Sequence, residues 1–262
     1  MSIQKDNIKD FWNNIPCGTR GINGQIGDKE FFEEVERQRY KLEYFLPKYA
    51  EFSKWKDKKG LEIGCGAGTD FIQFLRAGVD MHGIDLSDES VALTKSRLKL
   101  YGFDPEKVSV QDCECLPFEN KSFDFIYSWG VLHHTVDIEK ALLEVWRLLK
   151  PGGEICIMLY NKVSLVSLQL YILYGLLKGN LVVNMDEIFA NHLESPGTKA
   201  FTKKEIEKLF NNFSDVIVTT IITPYDLRYK RDKNKNDNFL PNWVGGLIPG
   251  SLGWYHIIKG KK

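Results

Sequence analysis

Gly64, Gly66 and Gly68 stand at alternate positions in LEIGCGAGTD, directly after a short apolar run. Glycine lacks a Cβ, so such a turn tolerates positive φ and lets another group approach the backbone closely. Between a strand and the helix that follows, the turn points N–H groups and the helix's positive end into a crevice, where parallel sheets hold nucleotide-like ligands. Asp85 lies 21 residues after Gly64, where a carboxylate can accept from both hydroxyls of a ribose. A dinucleotide enzyme would share both features. The third glycine of its G-x-G-x-x-G fingerprint would fall at Thr69, however, and an acid, Glu62, precedes the loop. That carboxylate suits a ligand carrying positive charge better than a pyrophosphate.

Other residues could move protons or touch a substrate. His133 and His134 follow an apolar run, and an imidazole titrates near neutrality, which fits a general base. Tyr160 and Asn161 close the next apolar run and would face the same cleft. Such residues work only if an ordered set of elements brings them together.

The required elements are legible from residue 60 onward. KGLEIG, MHGIDL, KVSVQD, FDFIYSWG and EICIMLYN read as strands one to five. TDFIQFLRAG, SDESVALTKSRLKLYG and DIEKALLEVWRLLKPGG read as helices, with Ser87 as a cap, stops at Gly78 and Gly102, and a stop at Pro151-Gly152-Gly153. Strands joined by single helices run parallel, giving an α/β, doubly wound sheet. Residues 162 to 200 break the alternation with the apolar VSLVSLQLYILYGLL, whose fifteen residues fall short of the ~20 that a spanning helix needs. They are expected to form a helical cover in which Leu165, Leu168 and Tyr171 line or adjoin the acceptor pocket. FTKKEIEKLFNNF opens on a Thr202–Glu205 capping box, DVIVTTII is a sixth strand, and WYHIIKG is a last strand that can pair antiparallel. Residues 1 to 55 read as helices forming an N-terminal lid over a domain that spans 56 to 262, with FWNNIPCGT as a docking segment within the lid.

LEIGCGAGTD, GIDLS, VQDCECLPFENKSFDFIYSWGVLHHT and LLKPGG, in this order, resemble the successive motifs of class I S-adenosylmethionine-dependent methyltransferases of the small-molecule type. The resemblance spans roughly residues 58 to 161. It implies a Rossmann-like, seven-stranded, mainly parallel sheet with its last strand antiparallel, and S-adenosyl-L-methionine as cofactor. It further implies that Gly64, Cys65, Gly66 and Gly68 border the amino-acid part of the cofactor and that Asp85 holds the ribose. Leu86 would pack on the adenine, Asp112 accept from its amino group, and Cys113 lie beside it. Ser128 and Trp129 would flank the methionine portion. Methyl transfer needs no covalent nucleophile, so Cys17 is not expected to be one.

Composition narrows the remaining classes. Lys+Arg and Asp+Glu both number 35, which gives no electrostatic case for a nucleic-acid partner. The five cysteines are scattered and lack metal-ligand spacing, so no metal and a reducing, cytoplasmic location are expected. The N-terminus is polar rather than a signal peptide. Five basic residues in 228 to 235, near FLPNWVGGLIP, raise peripheral contact with a membrane surface. The expected activity is methyl transfer to a small, apolar or lipid-like metabolite. The alternatives are a non-methylating enzyme that uses the bound cofactor electrostatically, such as a cyclase, and a non-catalytic binding module.

Overall fold

The computed structural model describes residues 3–22, 25–230, 238–240 and 242–262. Seven strands form one sheet: β1 Lys59–Ile63, β2 Asp80–Asp85, β3 Val108–Val110, β4 Phe123–Trp129, β5 Leu149–Tyr160, β6 Ser214–Ile221 and β7 Tyr255–Lys261. Their spatial order is β3-β2-β1-β4-β5-β7-β6. β1 pairs in parallel with both β2 and β4, so the strand order reverses between them and opens a crevice at their carboxyl ends. β7 inserts between β5 and β6 and runs antiparallel to both. Apart from this sheet, Arg228–Lys230 pairs antiparallel with Asn238–Phe239. The fold class read from the sequence is the observed one.

Alternation along the central strands separates two cores. Phe125, Tyr127 and Trp129 of β4, with Cys156, Met158 and Tyr160 of β5, face one side. Ile126, Ile155, Ile157 and Leu159 face the other. Helices α4 Thr69–Arg76, α5 Asp88–Leu100 and α6 Ile138–Leu148 cross over between strands. Ser87 caps α5 by accepting from the Ser90 N–H, as its position before an acidic first turn implies. The stop at the end of α6 differs from the sequence expectation: the helix ends at Leu148, and Leu149 to Gly153 already belong to β5. Tertiary pairing decides this, since Gly152 N–H donates to the Lys262 carbonyl and Lys262 N–H to that of Gly153.

The N-terminal helices α1 Ile3–Asn14, α2 Lys29–Leu42 and α3 Leu46–Ala50 cover the carboxyl edge and one face. Lys9 pairs with Asp88 at the start of α5, and buried Phe31, Phe32 and Val35 of α2 pack with Ala67 and Leu93. The insertion after β5 contains α7 Leu165–Tyr174 and α8 Met185–His192, and α9 Lys203–Leu209 follows with the Thr202–Glu205 capping box intact. The inner residues Val166 and Leu170 of α7 join the core, whereas Leu168, Ile172 and Leu173 face outward. Among the described residues, no helix is long and apolar enough to cross a membrane. Most of the basic run in 228 to 235, from residue 231 on, lies outside the described residues.

Candidate functional site

A cavity of about 390 Å³ opens at the carboxyl ends of the central strands. Its floor carries Glu62, Gly64, Cys65, Gly66, Asp85, Leu86, Asp112, Cys113 and Trp129. Lys5, Trp12, Cys17 and Arg39 roof it from the N-terminal segment, and Val166, Leu193 and Glu194 close it from the insertion. The resemblance and the strand ends therefore point to one space.

The three glycines have different neighbours. A Cβ on Gly64 would lie 2.1 Å from a Val131 methyl, and one on Gly68 would lie 2.9 Å from the Thr94 methyl. Only Gly66 has ordinary room: its nearest neighbour would be the Cys17 Cβ at 3.5 Å. All three adopt positive φ, so the loop needs glycine for its path, but Gly64 and Gly68 yield space to protein side chains. Gly68 does not line the cavity. Room for a ligand is thus an explanation for one glycine of the three.

The Asp85 carboxylate accepts from Gly66 N–H and Ser87 N–H, both at 2.9 Å, which ties the second strand's end to the glycine loop. Burial raises its pKa, and those backbone bonds oppose the rise. Asp112, at the far end, pairs with the Lys5 ammonium at 2.5 Å, and Glu114 pairs with the same group at 2.7 Å. The helix α1 therefore latches onto the position expected to face an adenine. The Cys17 thiol is pushed up by burial to about 12 and is a neutral thiol near neutrality.

A charged cluster missed in the sequence fills the roof beside Glu62. Arg39 donates to Asp70 at 2.9 Å and lies 3.3 Å from Glu43. Tyr127 and Tyr40 hydroxyls donate to Asp70, while Trp129 Nε1–H and the Tyr255 hydroxyl donate to Glu43. Burial, then the Asp70 charge, raises Glu62 well above the usual carboxylate range. Glu62 Oε2 is buried with no hydrogen-bond partner among the described residues. A cationic group placed against it would restore its charge, which fits an α-ammonium or sulfonium ligand. Arg39 and Glu43 stand on α2 or just beyond it, far from the motifs, and nothing in their local sequence marks them.

Several expected site residues lie elsewhere. Ser128 is buried and donates to the Ile63 carbonyl at 3.1 Å, off the cavity wall. His133 is walled off behind Tyr160, 3.8 Å between ring centroids, and burial holds its pKa well below the usual value, so it is neutral and cannot meet a substrate. Asn161 spends its amide on the Val163, Ser251 and Gly253 carbonyls and anchors the chain instead of lining the cavity. Leu168 is 53% exposed on the outer face of α7, and the Tyr171 hydroxyl donates to the Leu181 carbonyl. Both point away because Val166 and Leu170 take the inward face of the helix. His134 and Tyr160 do line the cavity, beside an aromatic wall of Trp12, Tyr225, Trp254 and Tyr255.

A crevice at a reversal of strand order, with an acid ending β2 and a glycine loop ending β1, defines a nucleotide-type site on a methyltransferase-like fold. Residues 61–157 match the model of a methyltransferase domain. The chain is 31% identical over 117 residues to phosphoethanolamine N-methyltransferase 2 of Caenorhabditis elegans, covering 45% of this chain and 26% of that protein. It spans well short of the full length of the curated relatives it matches. Among solved structures it is similar to phosphoethanolamine N-methyltransferase 2 of Haemonchus contortus, at 20% identity and TM-score 0.63, covering 97% of this chain and 60% of that one. It is similar as well to geranyl diphosphate C-methyltransferase of Streptomyces coelicolor, at 16% identity and TM-score 0.60, covering 99% and 98%. By its methyltransferase domain over residues 61–157 and by its fold, the chain is similar to class I S-adenosylmethionine-dependent methyltransferases.

Proposed function

We infer that the chain transfers the methyl group of S-adenosylmethionine to a small, apolar or lipid-like acceptor. One observation carries the reading: a single cavity runs from Asp85 and Asp112 to the aromatic wall of Tyr160, Tyr225, Trp254 and Tyr255. Bound in it, the cofactor supplies an electrophilic methyl on a sulfonium. Asp85 would hold the ribose, Leu86 pack on the adenine, and Asp112 accept from the adenine amino group beside the Lys5 latch. The backbone at Gly64 to Gly66 and the Glu62 carboxyl, whose Oε2 has no hydrogen-bond partner among the described residues, would hold the amino-acid part. Trp129 would flank the methionine portion, and Val166 and Leu193 would fix an apolar acceptor and exclude water, so that nucleophile, methyl and sulfur align.

The N-terminal helices act as the lid in this reading and residues 56 to 262 as the catalytic domain, with the insertion closing the acceptor end. The outward Leu168, Ile172 and Leu173 are where peripheral contact with a membrane would occur. The test is S-adenosylhomocysteine release with metabolite pools divided by organic extraction. Turnover confined to the extracted, apolar pool supports the acceptor class, and turnover confined to the aqueous pool contradicts it.

A further inference from the structure

We propose that Glu194, carried by the insertion, receives the proton of an O–H or N–H acceptor, with His134 behind it to take up that proton. The inference rests on the methyl-transfer reading and adds to it both a second proton-handling residue and a class of acceptor atom.

Glu194 stands on the cavity wall with its side chain half exposed. Its Oε2 accepts from the Tyr160 hydroxyl at 3.0 Å and lies 3.4 Å from His134 Nε2. The other ring nitrogen of His134 is clasped by two hydroxyls, Ser195 Oγ at 2.8 Å and Thr198 Oγ1 at 2.9 Å. The Thr198 hydroxyl already donates to the Ser195 carbonyl at 2.6 Å. Its oxygen can therefore only accept from the imidazole, which places the His134 proton on Nδ1. Nε2 is left with its lone pair, buried and without a hydrogen-bond partner among the described residues, facing a carboxylate. Two electron-rich groups so placed repel until one proton enters between them. Trp12, edge-on to the ring at 5.2 Å, and His133, at 4.2 Å, keep the imidazole in this orientation.

Buried Nε2 cannot meet an acceptor directly, whereas the Glu194 carboxylate can. As the acceptor's lone pair bonds the methyl carbon, the C–S bond breaks and its electron pair stays on sulfur. The acceptor's proton passes to Glu194 and on to His134 Nε2, so the pair goes from one negative charge to neutral. The other groups facing the pair are Cys17, Tyr160 and Tyr225, His133 behind the ring with Lys199 near it, and Arg20 and Arg228 on the cavity wall. Burial raises the Cys17 thiol and the Tyr160 and Tyr225 phenols, and it lowers His133, so none of these four changes charge near neutrality.

The test has a binding, a spectroscopic and a kinetic arm, all on the full chain. Calorimetry first establishes that wild type, Glu194→Gln and His134→Gln bind S-adenosylhomocysteine equally. Nitrogen-15 NMR of the complexes, with His134 assigned by its loss in His134→Gln, should show the Nδ1–H tautomer. With simple alkyl phenols and alkyl amines as acceptors, Glu194→Gln should lower kcat by roughly 10²–10⁴-fold and displace the acid limb of the pH profile. An Nε2–H tautomer, or wild-type kcat in Glu194→Gln, overturns the proposal. So does wild type that binds the cofactor product yet turns over neither acceptor class. Wild type that fails to bind S-adenosylhomocysteine contradicts the methyl-transfer reading itself.

Discussion

Gly64 and Val131 meet so closely that a single added methyl group has no room between them: the Cβ would lie 2.1 Å from Val131 Cγ2. Gly64 also holds φ at +82°. Gly64→Ala should therefore cost about 2–4 kcal/mol of stability, from left-handed strain and overpacking together. Gly66→Ala meets only an ordinary 3.5 Å contact, so it should cost about 1 kcal/mol and act mainly on cofactor affinity. Denaturant unfolding and calorimetry on both variants separate the two effects. A Gly64→Ala protein as stable as wild type would refute the division of roles.

The acceptor end should respond to the inward residues of the insertion alone. Val166→Ala and Leu193→Ala remove apolar wall and should raise the acceptor KM several-fold without changing cofactor affinity. Leu168→Ala, on the exposed face, should leave both constants unchanged. Steady-state kinetics with an acceptor found in the apolar pool checks this, and an effect of Leu168 equal to that of Val166 would contradict it.

Stability should depend on pH through two groups with opposite signs. Burial lowers His256 to about 4, so the folded protein binds fewer protons than the unfolded chain between about 4 and 6.5. The stability held by neutral His256 is present above 6.5 and lost as pH falls through that window, by about 2–3 kcal/mol at its lower end. Burial raises Asp226 to about 6, so its contribution is full below the ordinary carboxylate value and lost as pH rises toward 6. His256→Gln should flatten the acid fall in urea-measured stability between pH 6.5 and 4, and Asp226→Asn should steepen it. Parallel curves for wild type and both variants would show that neither group is linked to folding.

The sheet was legible because its strands and helices announce themselves locally. Ser87, Gly78, Gly102 and the Thr202–Glu205 box mark helix ends through bonds made within a few residues. The start of β5 at Leu149 is not, since Leu149 pairs with Phe123 of β4 and Gly152 and Gly153 bond Lys262, contacts that no local signal announces. Glu62, Gly66, Asp85 and Asp112 reach the cavity because they end strands or open helices, positions the pattern fixes. Asn161 also ends a strand, yet its amide turns to three carbonyls brought from residues 163, 251 and 253. Arg39, Glu43 and Glu194 arrive from helices and loops whose docking is decided by tertiary packing, so their sequence neighbours carry no sign of it. Leu168 and Tyr171 were misplaced for a simpler reason: an all-apolar helix gives no period from which to read its buried face.

Calorimetric titration of the wild-type chain with S-adenosylhomocysteine and, separately, with NAD tests the central claim most directly. The account predicts saturable, one-to-one binding of S-adenosylhomocysteine, weakened by about 1–3 kcal/mol in Asp85→Asn through loss of charge-assisted ribose bonds, and no binding of NAD. Binding of NAD, or no binding of S-adenosylhomocysteine, would contradict it.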